Sequence, residues 1–185
     1  MTNTERIQAN NNNLEECLEK ANALPDKSSV TEPMRKYYNN ETDEVILPEG
    51  VTYLRGSAFR NQTLTAILGL DDVTVVDSYA FADSKSLTGI GLPNVKNINT
   101  RAFYGCTALA SVYMPNVVRI QNQVFYNCTS LTSITFQSTP TSIDSTAFSG
   151  CTNLATINVP WAEGKVANAP WGATNATINY NYTGV

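Results

Sequence analysis

Apolar residues in this chain recur at an interval of about 22 positions, far longer than the period of a helix or a strand. Phenylalanine marks the repeat at Phe59, Phe81, Phe103, Phe125 and Phe148, with spacings of 22, 22, 22 and 23. Ala58, Ala80, Ala102 and Ala147 precede four of these, and Val124 precedes the other. Leu87, Leu109, Leu131 and Leu154 follow six residues later, while the first unit is one residue short and places Leu64 there. Three further on stand Ile67, Ile90, Val112, Ile134 and Ile157; two beyond those come Leu92, Met114, Phe136 and Val159. Pro93, Pro115 and Pro160 close three of the units. Ahead of the first Phe, Val45, Leu47, Pro48, Val51 and Leu54 supply half a unit in the same columns. The repeat therefore occupies residues 44–160.

The spacing dictates a shape. The apolar-x-apolar ending has the two-residue period of a short strand with one buried face. Proline then removes a backbone donor and stops the strand. A second apolar pair, such as Val95 and Ile98, turns the chain back toward the interior, and the Phe fills the far side. No unit can bury these positions alone. Stacking units about 4.8 Å apart by parallel pairing buries them together and makes the phenylalanines a ladder. The two extra residues, around "GLDDV" and "QSTPTSI", fall in the turn after the strand, where insertions are tolerated.

The flanks read differently. Residues 1–24 carry a helix over 4–24, with Thr4 as cap and Ile7, Asn10, Leu14, Cys17, Ala21 and Leu24 on one stripe. It caps the first coil, joins copies into a homo-oligomer, or stays disordered. Residues 25–43 form a polar linker with a helical turn at "MRKYY". In residues 161–185, Trp161 and Trp171 each follow a proline, and "ATINYNY" alternates as a strand ending in Tyr180 and Tyr182. Large aromatics there suit a C-terminal cap over the last coil; a carbohydrate-stacking Trp pair is the alternative.

Composition narrows the function. Charged residues make up 15% of the chain, where about 25% is usual, and the net charge is -4. No basic face is available for nucleic acid. No apolar run approaches the length of a transmembrane helix, and "MTNTERIQANNNN" has no apolar signal-peptide core. The chain has no histidine, which removes His-based catalysis and most zinc sites. Cys17, Cys106, Cys128 and Cys151 form no CxxC pair, and no phosphate-binding or nucleophile motif occurs. Catalytic residues, a cofactor and a metal are not expected.

Candidate chemistry lies in columns. The outward strand positions are Leu68, Gly91, Tyr113, Thr135 and Asn158, beside Ala66, Gly89, Ser111, Ser133 and Thr156. Within them, Ser111, Tyr113, Ser133, Thr135, Thr156 and Asn158 form the candidate binding face, nearly uncharged and suited to a protein or glycan. A column after the Phe holds Arg60, Ala82, Tyr104, Tyr126 and Ser149, in which Tyr104 and Tyr126 either pack on each other or offer an aromatic platform. Lys96 and Arg119 align along an edge. Cys106, Cys128 and Cys151, each three residues past a Phe, continue Gln62 and Ser84 as a column of buried thiols.

The motif "IxxxAFxxCxxLxxIxLPxV", best seen in "INTRAFYGCTALASVYMPNVVRI" and "IQNQVFYNCTSLTSITF", resembles the leucine-rich repeat of the BspA type from bacterial surface and secreted proteins. The resemblance implies an α/β repeat fold: a leucine-rich-repeat solenoid with short parallel strands, framed by the N-terminal helix and the aromatic cap. It also implies adhesion at the cell surface or outside the cell, without shared catalytic residues. The opening "RIQANN…L…ALP" resembles the start of prophage tail and appendage proteins, which implies a virion-associated structural or assembly component oligomerising through residues 4–24. The two expectations are thus a non-enzymatic adhesion module and a prophage assembly component.

Overall fold

The computed structural model describes residues 38–39, 43–47 and 50–184. The helix expected over 4–24, and with it the oligomerisation and prophage readings, lies outside the described residues.

Each coil begins with a three-residue strand whose middle side chain points inward. These are β2 (Glu44–Ile46), β4 (Ala66–Leu68), β6 (Gly89–Gly91), β8 (Ser111–Tyr113), β10 (Ser133–Thr135), β12 (Thr156–Asn158) and β13 (Thr177–Asn179). Their parallel registers fall on the repeat: Val45 pairs with Ile67, Ile90 with Val112, Ile134 with Ile157, and Ile157 with Ile178. A second row follows at the bend: β3 (Tyr53–Leu54), β5 (Val75–Val76), β7 (Asn97–Ile98), β9 (Arg119–Ile120) and β11 (Ser142–Ile143). These form one five-stranded parallel sheet, with Leu54, Val76, Ile98, Ile120 and Ile143 buried. The sequence reads this bend as a turn, because only one residue of each pair faces inward. The register also separates Lys96 from Arg119: Asn97 is the partner of Arg119.

The third side of the coil has no strand, but its backbone is paired all the same. The amide of each Phe donates to a carbonyl of the next coil: Phe59 to Ala80 at 2.6 Å, Phe81 to Ala102 at 2.7 Å, Phe103 to Val124 at 2.9 Å and Phe125 to Ala147 at 2.8 Å. Two columns of left-handed backbone make this turn. One, two residues after the Phe, is Asn61, Asp83, Gly105, Asn127 and Gly150, the residue types that adopt positive φ most cheaply. The other, two residues before it, is Ser57, Tyr79, Arg101 and Gln123, with φ of 54–64°. These side chains carry a Cβ, so each costs about 1–2 kcal/mol. Gly69, at the first insertion, has φ +76, and a Cβ there would lie 2.5 Å from the Leu47 carbonyl oxygen.

The interior is a continuous apolar column. The five phenylalanines are buried and stacked, with ring centroids 5.2, 5.1, 5.4 and 5.4 Å apart and planes within 11°. At the C-terminal end the repeat goes on without its motif. β13 adds a further rung, and Phe148 donates to the carbonyl of Trp171 as its predecessors do to Ala or Val. Trp161 and Trp171 are buried, Trp161 edge-on to Phe136 and to Trp171, and Trp171 tilted against Phe136. Their ring faces are committed to the core, which leaves no Trp pair for carbohydrate stacking. At the other end, Tyr38–Asn39 (β1) pairs antiparallel with β2, within the stretch that reads as a linker. An antiparallel strand covers the edge that would otherwise template further pairing.

Phe103→Ala removes a ring stacked on both neighbours and should destabilise the protein by about 3–5 kcal/mol in a denaturant titration. Gly69→Ala should also destabilise, since it adds backbone strain to a direct clash; an unchanged midpoint would contradict the close approach to Leu47.

Candidate binding surfaces

The expected strand-face residues follow one another along the first strand row, on the sheet of β6 and β8 and then on the sheet of β10, β12 and β13. Ser111 and Tyr113 are exposed on β8, Ser133 and Thr135 are exposed on β10, and Thr156 and Asn158 are half-buried on β12. Parallel pairing places Gly91 beside Tyr113 and Thr135 beside Asn158. The row is longer than the repeat motif alone suggests. It starts at Ile46, paired with Leu68, and ends at Asn179, paired with Asn158.

Its two halves differ in chemistry. Ile46, Leu68 and Tyr113 are the large hydrophobic side chains that stand exposed among the described residues, at 48%, 49% and 52%. A Cβ on Gly91 would meet nothing within 4 Å, so the row has a notch between Leu68 and Tyr113. Toward the C-terminus the row becomes a polar ladder: the Asn158 amide donates to the Thr135 hydroxyl at 3.0 Å, and the Asn179 amide donates to the Asn158 side-chain oxygen at 2.8 Å.

On the turn side, Tyr104 and Tyr126 stack at 4.9 Å with planes 5° apart. They belong to a larger array. The Arg101 guanidinium lies over Tyr104 at 5.5 Å and over Tyr79 at 5.8 Å, and Arg60 lies over the same Tyr79 ring at 5.4 Å. Arg101 also donates to the Tyr79 hydroxyl at 2.9 Å and to the Gln123 side-chain oxygen at 2.6 Å. Sequence reasoning aligned Arg60 with Tyr104 and Tyr126 but missed Tyr79 and Arg101. Those two sit in the left-handed column before the Phe, and only the fold of the turn brings the two columns together.

The cysteine column is buried and fully used. The thiols of Cys106, Cys128 and Cys151 donate to the carbonyls of Phe81, Phe103 and Phe125 at 3.0, 3.2 and 2.9 Å. Each of those carbonyls also accepts an amide from three residues later in its own coil. Ser84 makes the same contact to Phe59 at 2.5 Å, so the column selects a small donor rather than sulfur chemistry. Burial pushes the Cys106 and Cys151 thiols up to about 12 and raises Cys128 well above its ordinary value. No group of three or more His, Cys, Asp or Glu able to hold a metal occurs among the described residues, and no helix there is long and apolar enough to cross a membrane.

Residues 7–88 and 32–155 match the family model described as the BspA type leucine rich repeat region, in six copies. Similar solved structures include a leucine-rich repeat protein from Bacteroides ovatus, 22% identical over 67% of this chain and 41% of that one, with a TM-score of 0.45. A leucine rich cell surface protein from Faecalibacterium prausnitzii is 20% identical over 77% of this chain and 60% of its own, with a TM-score of 0.40. The pneumococcal vaccine antigen PcpA is 15% identical over 83% and 44%, with a TM-score of 0.46. The chain thus spans less than two thirds of each of these three proteins. No curated protein matches it.

Native protein should expose at most the Cys17 thiol to Ellman's reagent, and guanidinium should release all four. The pH dependence has a definite sign. Folded Cys106 and Cys151 hold their protons to about 12 against an ordinary 9.0, so the unfolded chain loses protons first. Their contribution to stability is present below pH 9 and is lost as pH rises toward 12. The denaturation midpoint should therefore fall more steeply over that range in the wild type than in the triple variant Cys106→Ser, Cys128→Ser, Cys151→Ser.

Proposed function

The chain belongs to the BspA type leucine-rich repeat family, and on that premise we propose that it is a non-enzymatic recognition module, working at a cell surface, whose strand face docks a protein partner. One observation carries the reading: the exposed large hydrophobics Ile46, Leu68 and Tyr113 all fall on a single column of that face. A folded chain gains nothing by holding an aliphatic and aromatic row in water. Such rows act as anchors when a partner desolvates them.

The notch at Gly91 would accept one partner side chain between Leu68 and Tyr113. Around it, Ser111, Ser133 and Thr135 offer exposed hydroxyls as a hydrogen-bonding rim, and Thr156, Asn158 and Asn179 extend the rim toward the C-terminus. This division into apolar anchors and polar surround is the usual anatomy of a protein–protein contact. Ile46 and Leu68 favour a protein over a glycan, because an aliphatic side chain neither stacks flat on a sugar ring nor hydrogen-bonds its hydroxyls. The row is uncharged, so binding through it should depend little on salt.

The test is adhesion of the purified chain to host cells, scored by flow cytometry. Leu68→Ser and Tyr113→Ala should each lower apparent affinity by ten-fold or more while leaving thermal unfolding nearly unchanged, because both side chains are about half exposed in the free protein. Protease treatment of the cells should abolish the signal. Binding that survives both substitutions, or survives protease, would overturn the assignment.

A further inference from the structure

We propose that the turn side of the solenoid carries a second and separate site, formed by Arg60, Tyr79, Arg101, Tyr104 and Tyr126, which binds an acidic saccharide. The array runs along the solenoid axis in the order of the coils. Arg60 comes from the coil before Tyr79, Arg101 and Tyr104 from the coil after it, and Tyr126 from the next. Three coil steps of about 4.8 Å give it a length of about 14 Å, the reach of a short oligosaccharide.

Its chemistry is that of two cations gathered around one aromatic ring. Tyr79 has two guanidinium groups within about 6 Å of its ring centre and so within cation–π range. Neither Arg60 nor Arg101 makes an ion pair with a carboxylate among the described residues, although the chain as a whole carries an excess of acid. Arg60 is exposed and its side chain donates to no protein acceptor among the described residues, which leaves all five of its N–H groups. Arg101 uses one N–H on Tyr79 and one on Gln123, which leaves three. Two like charges on one ring repel each other. An anion bridging their free edges removes that repulsion and satisfies the donors.

The backbone points the same way. Tyr79 and Arg101 occupy left-handed positions, at φ 60 and 56°, which Gly or Asn would fill at lower cost. The same conformation recurs at Ser57 and Gln123, so it belongs to the turn of the repeat, which sets where both side chains start. The backbone amides of the turn are already consumed between coils, as in Ser57 to Ser78, Tyr79 to Thr100 and Arg101 to Asn122. A peptide therefore has no edge to extend, and recognition falls to ring faces and guanidinium edges. At the far end, no ring follows Tyr126 among the described residues; the same column continues as the small Ser149. That leaves a tyrosine face for the C–H face of a sugar ring, with the carboxylate or sulfate group reaching back to the arginines.

Isothermal titration of the full chain with trigalacturonate, a heparin tetrasaccharide and neutral maltotriose separates the sources of charge. One or both acidic oligosaccharides should bind at low salt, more weakly as salt rises, and maltotriose should bind at least ten-fold more weakly or not at all. Arg60→Gln and Arg101→Asn should each reduce affinity ten-fold or more. The first changes an exposed side chain and the second suits the left-handed backbone, so both should keep the wild-type circular dichroism. Tyr113→Ala, on the strand face, should leave saccharide binding unchanged. The proposal is overturned if neither acidic sugar binds, if maltotriose binds equally well, if either arginine variant binds like wild type, or if Tyr113→Ala abolishes binding.

Discussion

Everything in this fold depends on one constraint: successive coils stack a single strand spacing apart on all three sides. The bend row satisfies it as one continuous parallel sheet, the first strand row as three sheets that part between β4 and β6 and between β8 and β10, and the third side with the Phe amides and the turn around them. At about 4.8 Å per step, each side chain lies directly over its counterpart in the next coil. A column must therefore be filled by residues of like size and compatible chemistry. Inward, that gives the stacked phenylalanines and the aliphatic centres of the strands. At the third position after the Phe it gives a small donor aimed at the preceding coil's carbonyl, a task done by Ser84 and then by three cysteines.

The same constraint accounts for the low charge. Identical ions stacked at this distance repel, so outward columns favour side chains that can both give and take a hydrogen bond. Thr74 and Thr141 donate to carbonyls of the preceding coil, as do the amides of Asn94, Asn116, Asn153 and Asn175. Where an acid does enter, amides separate it from the next one: Asp77 accepts from Asn99, Gln121 follows, and only then Asp144. The arginines around Tyr79 are the exception, which is why they stand out as chemistry rather than scaffolding.

Legibility in the sequence followed from how many inward residues an element contains. The first strand row and the Phe ladder were readable because several apolar positions recur together. The second sheet was not, since Asn97–Ile98, Arg119–Ile120 and Ser142–Ile143 each offer a single buried residue. The last coil escaped because Trp171 fills the turn in place of Ala, although the strand near 177–179 was visible from alternation. Of the candidate surfaces, the strand-face column from Leu68 to Asn158 could be listed by period alone, but its two ends, Ile46 and Asn179, could not. The arginine–tyrosine array was out of reach, because it joins two columns whose proximity is set by left-handed backbone that neither tyrosine nor arginine advertises.

Amide hydrogen exchange tests the underlying constraint most directly. If the turn side is a true third ladder, the amides of Phe81, Phe103 and Phe125 should be as strongly protected as those of Ile90 and Ile134 in the strands, all opening together with global unfolding. Rapid exchange at the phenylalanine amides, with protection confined to the strand rows, would contradict the account.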